Sequence, residues 1–180
     1  EGAAVSLRAA LDELAEWALD AVRSGTSILI LSDRNANETH SPIPALLALR
    51  AVVNILNRWG ERLKASIVLD TGEVRTTHHF ACAIGFGATA VCPHLTWRIA
   101  DGHQHRALKG LSGPDKVSRL RSAFEQGLLK VMSKVGIASV RSYRSSKLFT
   151  PLGIGHRLVS DYFPDLHSPV GGLELEDIAD

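Results

Sequence analysis

Ser27-Ile-Leu-Ile-Leu31, running directly into Ser32-Asp33-Arg34, decides the architecture of this chain. The run is too short for a helix. It is also too continuously apolar for a strand with one wet face. A strand buried on both faces fits it, and such strands belong to parallel sheets. Upstream, Val5, Leu7, Leu11, Leu14, Ala18, Leu19 and Val22 recur at helical spacing, so residues 5–23 read as an amphipathic helix. Arg23 lies in its last turn and Gly25 follows as a stop signal. Downstream, residues 35–42 form a polar loop, Pro44 suits a first helical position, and a helix runs to about Trp59 before Gly60.

The rhythm then repeats. Residues 65–69 predict a second buried strand, 73–84 a helix, 88–92 a third strand and 95–100 a short helix. Residues 101–115 are polar and rich in Gly and His, the composition of a surface loop. Residues 116–135 read as a long amphipathic helix. Within it, Gly127-Leu-Leu-Lys-Val-Met-Ser-Lys-Val-Gly-Ile137 is helical as far as Lys134 and is broken by Gly136. A fourth strand is expected at 138–142, a helix at 145–152, a short fifth strand at 157–160 and a helical tail at 174–179.

Such alternation means repeated βα units around a parallel sheet, an α/β fold. No GxGxxG follows the first strand, so a dinucleotide-type Rossmann fold has no support. Four or five βα units make about half of a (β/α)8 barrel, a partial TIM-barrel-like arrangement. A half barrel leaves two edge strands open, and open edges need pairing or cover. The missing half is therefore expected in a longer chain or in a second copy, that is, a homo-oligomer.

The 180 residues suggest one domain, 1–180, with room for a real core. A net charge of +1 selects neither nucleic acid nor an anionic membrane as partner. The apolar runs are strand-sized and fall well short of the ~20 residues of a membrane span. The N-terminus has neither a basic n-region nor a signal-type apolar block, so a cytoplasmic location is expected. The absence of an initiator Met at Glu1 hints at a fragment or a processed chain. Cys82 and Cys92 are far from any CxxC spacing and read as buried free thiols of a reducing compartment.

Few residues carry chemistry on their own. Arg34 lies just past the first strand, at the edge where parallel α/β proteins bind ligands. It fits an anion contact oriented by Asp33, but an Asp–Arg pair and an Asx turn that anchor the loop are the favoured reading. His78 and His79 are adjacent on a helix and point apart, so they cannot share one metal. Cys82, four residues after His78, is an allowed second ligand, but no third stands at a convincing spacing. His94, His103 and His105 read as loop histidines. Lys134 suits the negative end of the long helix. Ser142 and Arg144 would stand at a ligand-binding edge if the fourth strand forms. Gly85-Phe-Gly87 precedes a strand rather than a helix, unlike a phosphate cradle. No catalytic residue and no metal ligand set emerges.

Taken in order, Ile30-Leu-Ser-Asp-Arg34, Pro42-Ile-Pro-Ala-Leu-Leu47, His78-His-Phe80, Gly85-Phe-Gly-Ala88, the 127–137 run, Ser142-Tyr-Arg144 and Phe149 with Leu152-Gly-Ile154 resemble the large subunit of glutamate synthase. The blocks correspond to the later part of its central domain, ahead of the FMN-binding synthase barrel. The family pattern Asn-Pro-Tyr-Leu-Ala reads here as Cys92-Pro-His-Leu-Thr96. The resemblance implies a parent oxidoreductase that converts glutamine and 2-oxoglutarate into two glutamates. It implies a structural role for this segment, linking the amidotransferase and FMN centres and enclosing the ammonia path. The amidotransferase nucleophile would be an N-terminal cysteine, a part Glu1 cannot play. The parent's iron–sulfur cluster would bind elsewhere, since two isolated cysteines cannot hold it, and so would its FMN, since the flavin-binding signatures of the synthase barrel are not found in this sequence. The alternative is a stand-alone, dimerising βα half barrel that binds a small anion through Arg34, Lys134, Ser142 and Arg144.

Overall fold

The computed structural model describes the backbone of residues 2–146 and 148–179, and the side chains from Ser6 onward within those bounds. In chain order the elements are α1 (Gly2–Arg23), β1 (Ile28–Ser32), α2 (Ala45–Arg58), β2 (Ser66–Asp70), α3 (Thr77–Gly85), β3 (Ala90–Cys92) and α4 (His94–Gly102). They continue with α5 (Gly113–Val135), α6 (Val140–Tyr143), β4 (Leu152–Ile154), α7 (His156–Tyr162), β5 (Val170–Leu173) and α8 (Leu175–Ala179). The first three strands form one parallel sheet in the order β1-β2-β3, with Ile30, Val68 and Ala90 in one row and Ser32, Asp70 and Cys92 two rows further on, on the same face. The fold is α/β with parallel βα units, as the alternation in the sequence predicts.

One face of this sheet is packed. Leu29, Ile67 and Leu69 share a core with Leu49, Val52, Val53 and Leu56 of α2 and with Ala81, Ala83 and Ile84 of α3. The other face is not. Ile28 is 59% exposed and Ile30 64%. The expectation that β1 is buried on both faces is therefore corrected. Its apolar face points where further barrel strands would lie, and β1 and β3 are both edge strands.

The chain after α5 departs from the expected rhythm. Residues 138–142 are not a strand. Ser139 caps a single helical turn, its Oγ accepting from the Ser142 N–H at 3.1 Å. Tyr143 is then buried and donates to the Ala81 carbonyl at 3.2 Å. Five residues of mixed apolar and polar character cannot distinguish a strand from a capped turn, and the cap wins. The helix expected over 145–152 is also absent at the residues described. Ser145 sits at φ 64°, a left-handed conformation that no helix continues through. Lys147 of that span, like the Val5 side chain, lies outside the described residues. Residues 157–160 belong to α7, whose first amides are held by Glu174: the Arg157 and Leu158 N–H groups donate to its carboxylate at 3.3 and 2.8 Å. A second, separate sheet pairs β4 with β5 in parallel.

The long helix α5 starts three residues earlier than 116, at a capping box in which Ser112 and Asp115 bond reciprocally. It ends at Gly136, which takes φ 76° as the left-handed cap. Glu73 serves α2 from a distance, its carboxylate accepting from the Ala45 N–H at 3.1 and 3.2 Å. No helix among the described residues is long and apolar enough to cross a membrane.

Candidate functional site

The polar groups of the molecule gather at the C-terminal edge of the three-stranded sheet. β1 ends in Ser32 and turns through Asp33 and Arg34; β2 ends in Asp70 and leads into Thr71 and Gly72; β3 ends in Cys92, and Pro93 delivers His94 to the start of α4. Parallel register brings the three strand ends together, because Ser32, Asp70 and Cys92 occupy one row.

Two linked clusters result. In the first, Asp70 accepts from Arg34 Nε at 2.6 Å and from Arg34 Nη2 at 3.0 Å, a two-point fork, and from Ser32 Oγ at 2.9 Å. Arg34 also reaches Cys92 Sγ at 3.8 Å. The Arg34 guanidinium, helped by Ser32, overcomes the effect of burial and draws the Asp70 carboxyl from its ordinary 3.8 down to about 2. Burial and the neighbouring Asp70 carboxylate push the Cys92 thiol up.

In the second cluster Asp33 is held on both oxygens. Oδ2 accepts from Thr71 Oγ1 at 2.6 Å and from the Gly72 N–H at 2.9 Å, while Oδ1 meets His94 Nε2 at 2.6 Å. Burial raises the Asp33 pKa, but the hydrogen bonds from His94, Thr71 and Gly72 outweigh it, and the net shift is downward. A cavity of about 390 Å³ opens beside these groups, lined by Ser32, Asp33, Ser41 and Thr71 and floored by Leu14 and Ile30.

Every carboxylate oxygen here is engaged by a donor inside the chain. That arrangement fixes loops; it does not leave a base free to take a proton. A pH prediction follows from it. Both aspartates titrate lower in the folded chain than in the unfolded one. Their stabilisation is complete above the unfolded value near 3.8 and is lost as pH falls through the folded value, about 2 for Asp70. Urea unfolding of wild type and Asp70→Asn is expected to differ at pH 7, with the variant weaker, and to converge as pH drops from 4 towards 2. A constant difference across that range would refute the assignment.

The residues singled out from sequence do not meet at this edge. Arg34 is there, oriented by Asp70 rather than by Asp33. Arg144 donates to Thr89 Oγ1 at 2.9 Å, and Thr89 immediately precedes β3, so Arg144 sits at the opposite end of the strands. Ser142 pairs its hydroxyl with Ser139 at 2.8 Å on α6. Lys134 is exposed in the last turn of α5. Sequence reasoning passed over Asp70, and the reading of His94 as a loop histidine is corrected: it opens α4 and its ring bonds Asp33. Their signal was position: each stands where a predicted parallel strand ends or a helix begins.

The fit of a cofactor can be judged from the donors present. Among the described residues no group of three or more His, Cys, Asp or Glu is placed to hold a metal ion. Cys82 Sγ lies 3.5 Å from His78 Nε2, and burial pushes its thiol up to about 11, which disfavours the thiolate that a cluster needs. Gly85 is a packing position: a Cβ there would run into the Phe149 ring. Neither it nor Gly87 opens a helix N-terminus towards a phosphate. Among the described residues, Cys82 and Cys92 do not make the donor set of an iron–sulfur cluster, and Gly85 and Gly87 form no phosphate cradle.

Known proteins place the chain. The family described as the glutamate synthase central domain matches residues 2–155. The NADPH glutamate synthase large chain of Bacillus subtilis is 38% identical over 174 residues, covering 97% of this chain and 11% of that one. Ferredoxin-dependent glutamate synthase 2 of Synechocystis is 39% identical, covering 97% of this chain and 12% of that one. The chloroplastic ferredoxin-dependent glutamate synthase 2 of Arabidopsis thaliana is 40% identical, with 97% and 11% covered. The chain thus spans about a ninth of the length of these relatives. Among solved structures, a flavocytochrome b2 mutant with benzoylformate superposes with a TM-score of 0.57 at 19% identity, over 73% of this chain and 31% of that one, a likeness of fold alone. On the extent of the family match and the identity to these relatives, the chain belongs to the glutamate synthase central-domain family.

Proposed function

We propose that the chain acts as a scaffold within a glutamate synthase, as one α/β domain that joins the amidotransferase and FMN-binding regions and helps enclose the path of ammonia between them. The whole enzyme would convert glutamine and 2-oxoglutarate into two glutamates. Its FMN and iron–sulfur cluster would be held outside this segment. A reducing compartment such as the cytoplasm suits the two free thiols.

The observation that carries this reading is the bare sheet face. Ile28, Ile30, Val68 and Ala90 lie on it in a sheet that ends on both sides. An apolar face of that kind marks a surface covered by other polypeptide. A wall of aliphatic side chains also suits confinement of ammonia, which must be kept from water to avoid protonation and loss. The fully engaged carboxylates at the strand ends agree with a positioning role rather than a catalytic one.

The test is coupling. In a glutamate synthase carrying this segment, Ile30→Asp together with Val68→Asp should leave glutamine hydrolysis running while 2-oxoglutarate consumption falls several-fold and free ammonia appears in solution. If the folded variant keeps the two half-reactions in strict proportion with no ammonia released, the scaffold-and-channel reading is wrong.

A further inference from the structure

Charge is not spread evenly over this chain. Residues 98–121 hold six basic residues (Arg98, Arg106, Lys109, Lys116, Arg119, Arg121) against Asp101 and Asp115, whereas the whole chain carries +1. The remainder is therefore net acidic. The basic segment spans most of α4, the connection behind it and the first half of α5. Asp115 is turned into the α5 capping box, where it bonds Ser112 Oγ at 2.6 Å, so its charge is tied to the helix end.

Between α4 and α5 lies a groove of about 560 Å³. Its floor is apolar: Ile99, which is 57% exposed, with Leu108 and Leu120. Its rim is cationic: Arg75, Lys116 and Arg119. These cations have no carboxylate partner in the ion pairs among the described residues. Arg75 donates to the Gly72 carbonyl at 3.2 Å and Lys116 to the His103 carbonyl at 2.9 Å, contacts that hold the side chains. Arg75 feels the Glu73 carboxylate and Arg119 the Asp115 carboxylate at longer range, without a direct ion pair to either. His103 lines the groove with its ring parallel to that of His105, centres 6.3 Å apart, while Trp97 packs against Phe124 with ring centres 5.8 Å apart, so neither an indole nor a phenyl ring lines the groove.

We propose that this groove is a docking surface for an acidic, amphipathic helix of a partner polypeptide. Its aliphatic side chains seat on Ile99, Leu108 and Leu120, and its carboxylates meet Arg75, Lys116 and Arg119. Charge complementarity selects the acidic occupant and steers its approach. The apolar floor separates a peptide from a simple anion or a nucleic acid, since only the peptide carries both kinds of group at helical spacing. The surface lies in the helical layer, apart from the bare sheet face, and the proposal stands whether or not the scaffold reading holds.

The test is a fluorescence-anisotropy titration of the full chain into a labelled synthetic helix of roughly four turns, with Glu on one face and Leu on the other. Saturable binding at low salt that weakens as salt rises is expected. Arg119→Glu should weaken it about tenfold, equivalent to about 1.4 kcal/mol, and Ile99→Ala should weaken it less, both without change in the unfolding midpoint. If Arg119→Glu unfolds the chain, the wild type decides through a peptide with every Glu replaced by Lys, which should not bind. Absence of binding, equal binding of the Lys peptide, or single-stranded RNA bound as tightly as the Glu peptide and lost with the same variant would each overturn the proposal.

Discussion

Arg50→Ala is expected to lower the free energy of unfolding by about 3–5 kcal/mol, one of the largest effects of any single substitution in the chain. Arg50 is 2% exposed in the middle of α2. Its guanidinium donates to the Tyr162 carbonyl at 3.0 Å, the Phe86 carbonyl at 3.1 Å and Asn54 Oδ1 at 2.6 Å. Those acceptors end α7, close the turn after α3, and lie one turn on along α2. A single side chain therefore clamps the C-terminal unit to the three-stranded sheet and its helices.

Among the described residues no carboxylate pairs with this buried charge. Burial, with a smaller contribution from Arg62, pushes the Arg50 pKa down to about 10, so the cation is retained at neutral pH at a cost. The cost is met because three neutral oxygens accept from one planar fork, a geometry lysine cannot copy. Alanine leaves the Phe86 carbonyl and Asn54 Oδ1 without their Arg50 donor, while the Tyr162 carbonyl keeps Asn54 Nδ2 at 2.9 Å. Each group left unpaired costs roughly 1–3 kcal/mol, and a cavity opens as well. Arg50→Met fills the space but supplies no donor, so it is expected to recover only part of the loss. Urea unfolding with circular dichroism measures the global effect. Hydrogen exchange should show α7 losing protection first. A change below about 0.5 kcal/mol for the alanine variant would mean that water replaces the guanidinium and that the clamp does not hold the fold.

How far the sequence reveals this molecule follows from the same physics. Strands β1 and β2 were legible because runs of four and three consecutive β-branched and leucine residues, Ile28–Leu31 and Ile67–Leu69, bounded by polar residues, have few alternatives. Helices α2 and α5 were legible from their apolar spacing and from Gly60 and Gly136. The stretch after α5 was not. There the structure is set by contacts at long sequence range: the Tyr143 hydroxyl reaching Ala81, the Ser145 N–H donating to the Gly85 carbonyl at 2.8 Å, and Glu174 holding the start of α7. No local pattern encodes such partners. β5 hid for another reason: Val170-Gly-Gly-Leu173 lacks the side chains that mark a strand. Gly172 is needed because a Cβ there would run into the Gly153 carbonyl. At the candidate site, Arg34 was found from its place after β1. Its partner Asp70 became visible only once register set β1 beside β2. A continuous apolar run also says nothing about which side lacks a neighbour, so the bare face of β1 could not be read from it.

That bare face yields the sharpest contrast between two chemically identical substitutions. Ile67→Asp is expected to unfold the chain, whereas Ile30→Asp should leave its stability within about 0.5 kcal/mol of wild type. Ile67 is fully buried and packs in the main core beneath α2 and α3. A carboxylate there has no donor to satisfy it, and such a burial costs on the order of 4–5 kcal/mol or more, comparable with the whole stability of a typical domain at about 5–15 kcal/mol. Ile30 is one strand away and 64% exposed on the opposite face. An aspartate there stays in water and interrupts an apolar surface, so the variant should be at least as soluble as wild type. Denaturant unfolding of the two variants, with sedimentation to follow self-association, separates the outcomes. If Ile30→Asp destabilises the chain as severely as Ile67→Asp, β1 is covered on both faces in solution and the open half barrel is lost as a description. If it folds normally alone yet uncouples a whole glutamate synthase, the covering partner of this face belongs to that enzyme.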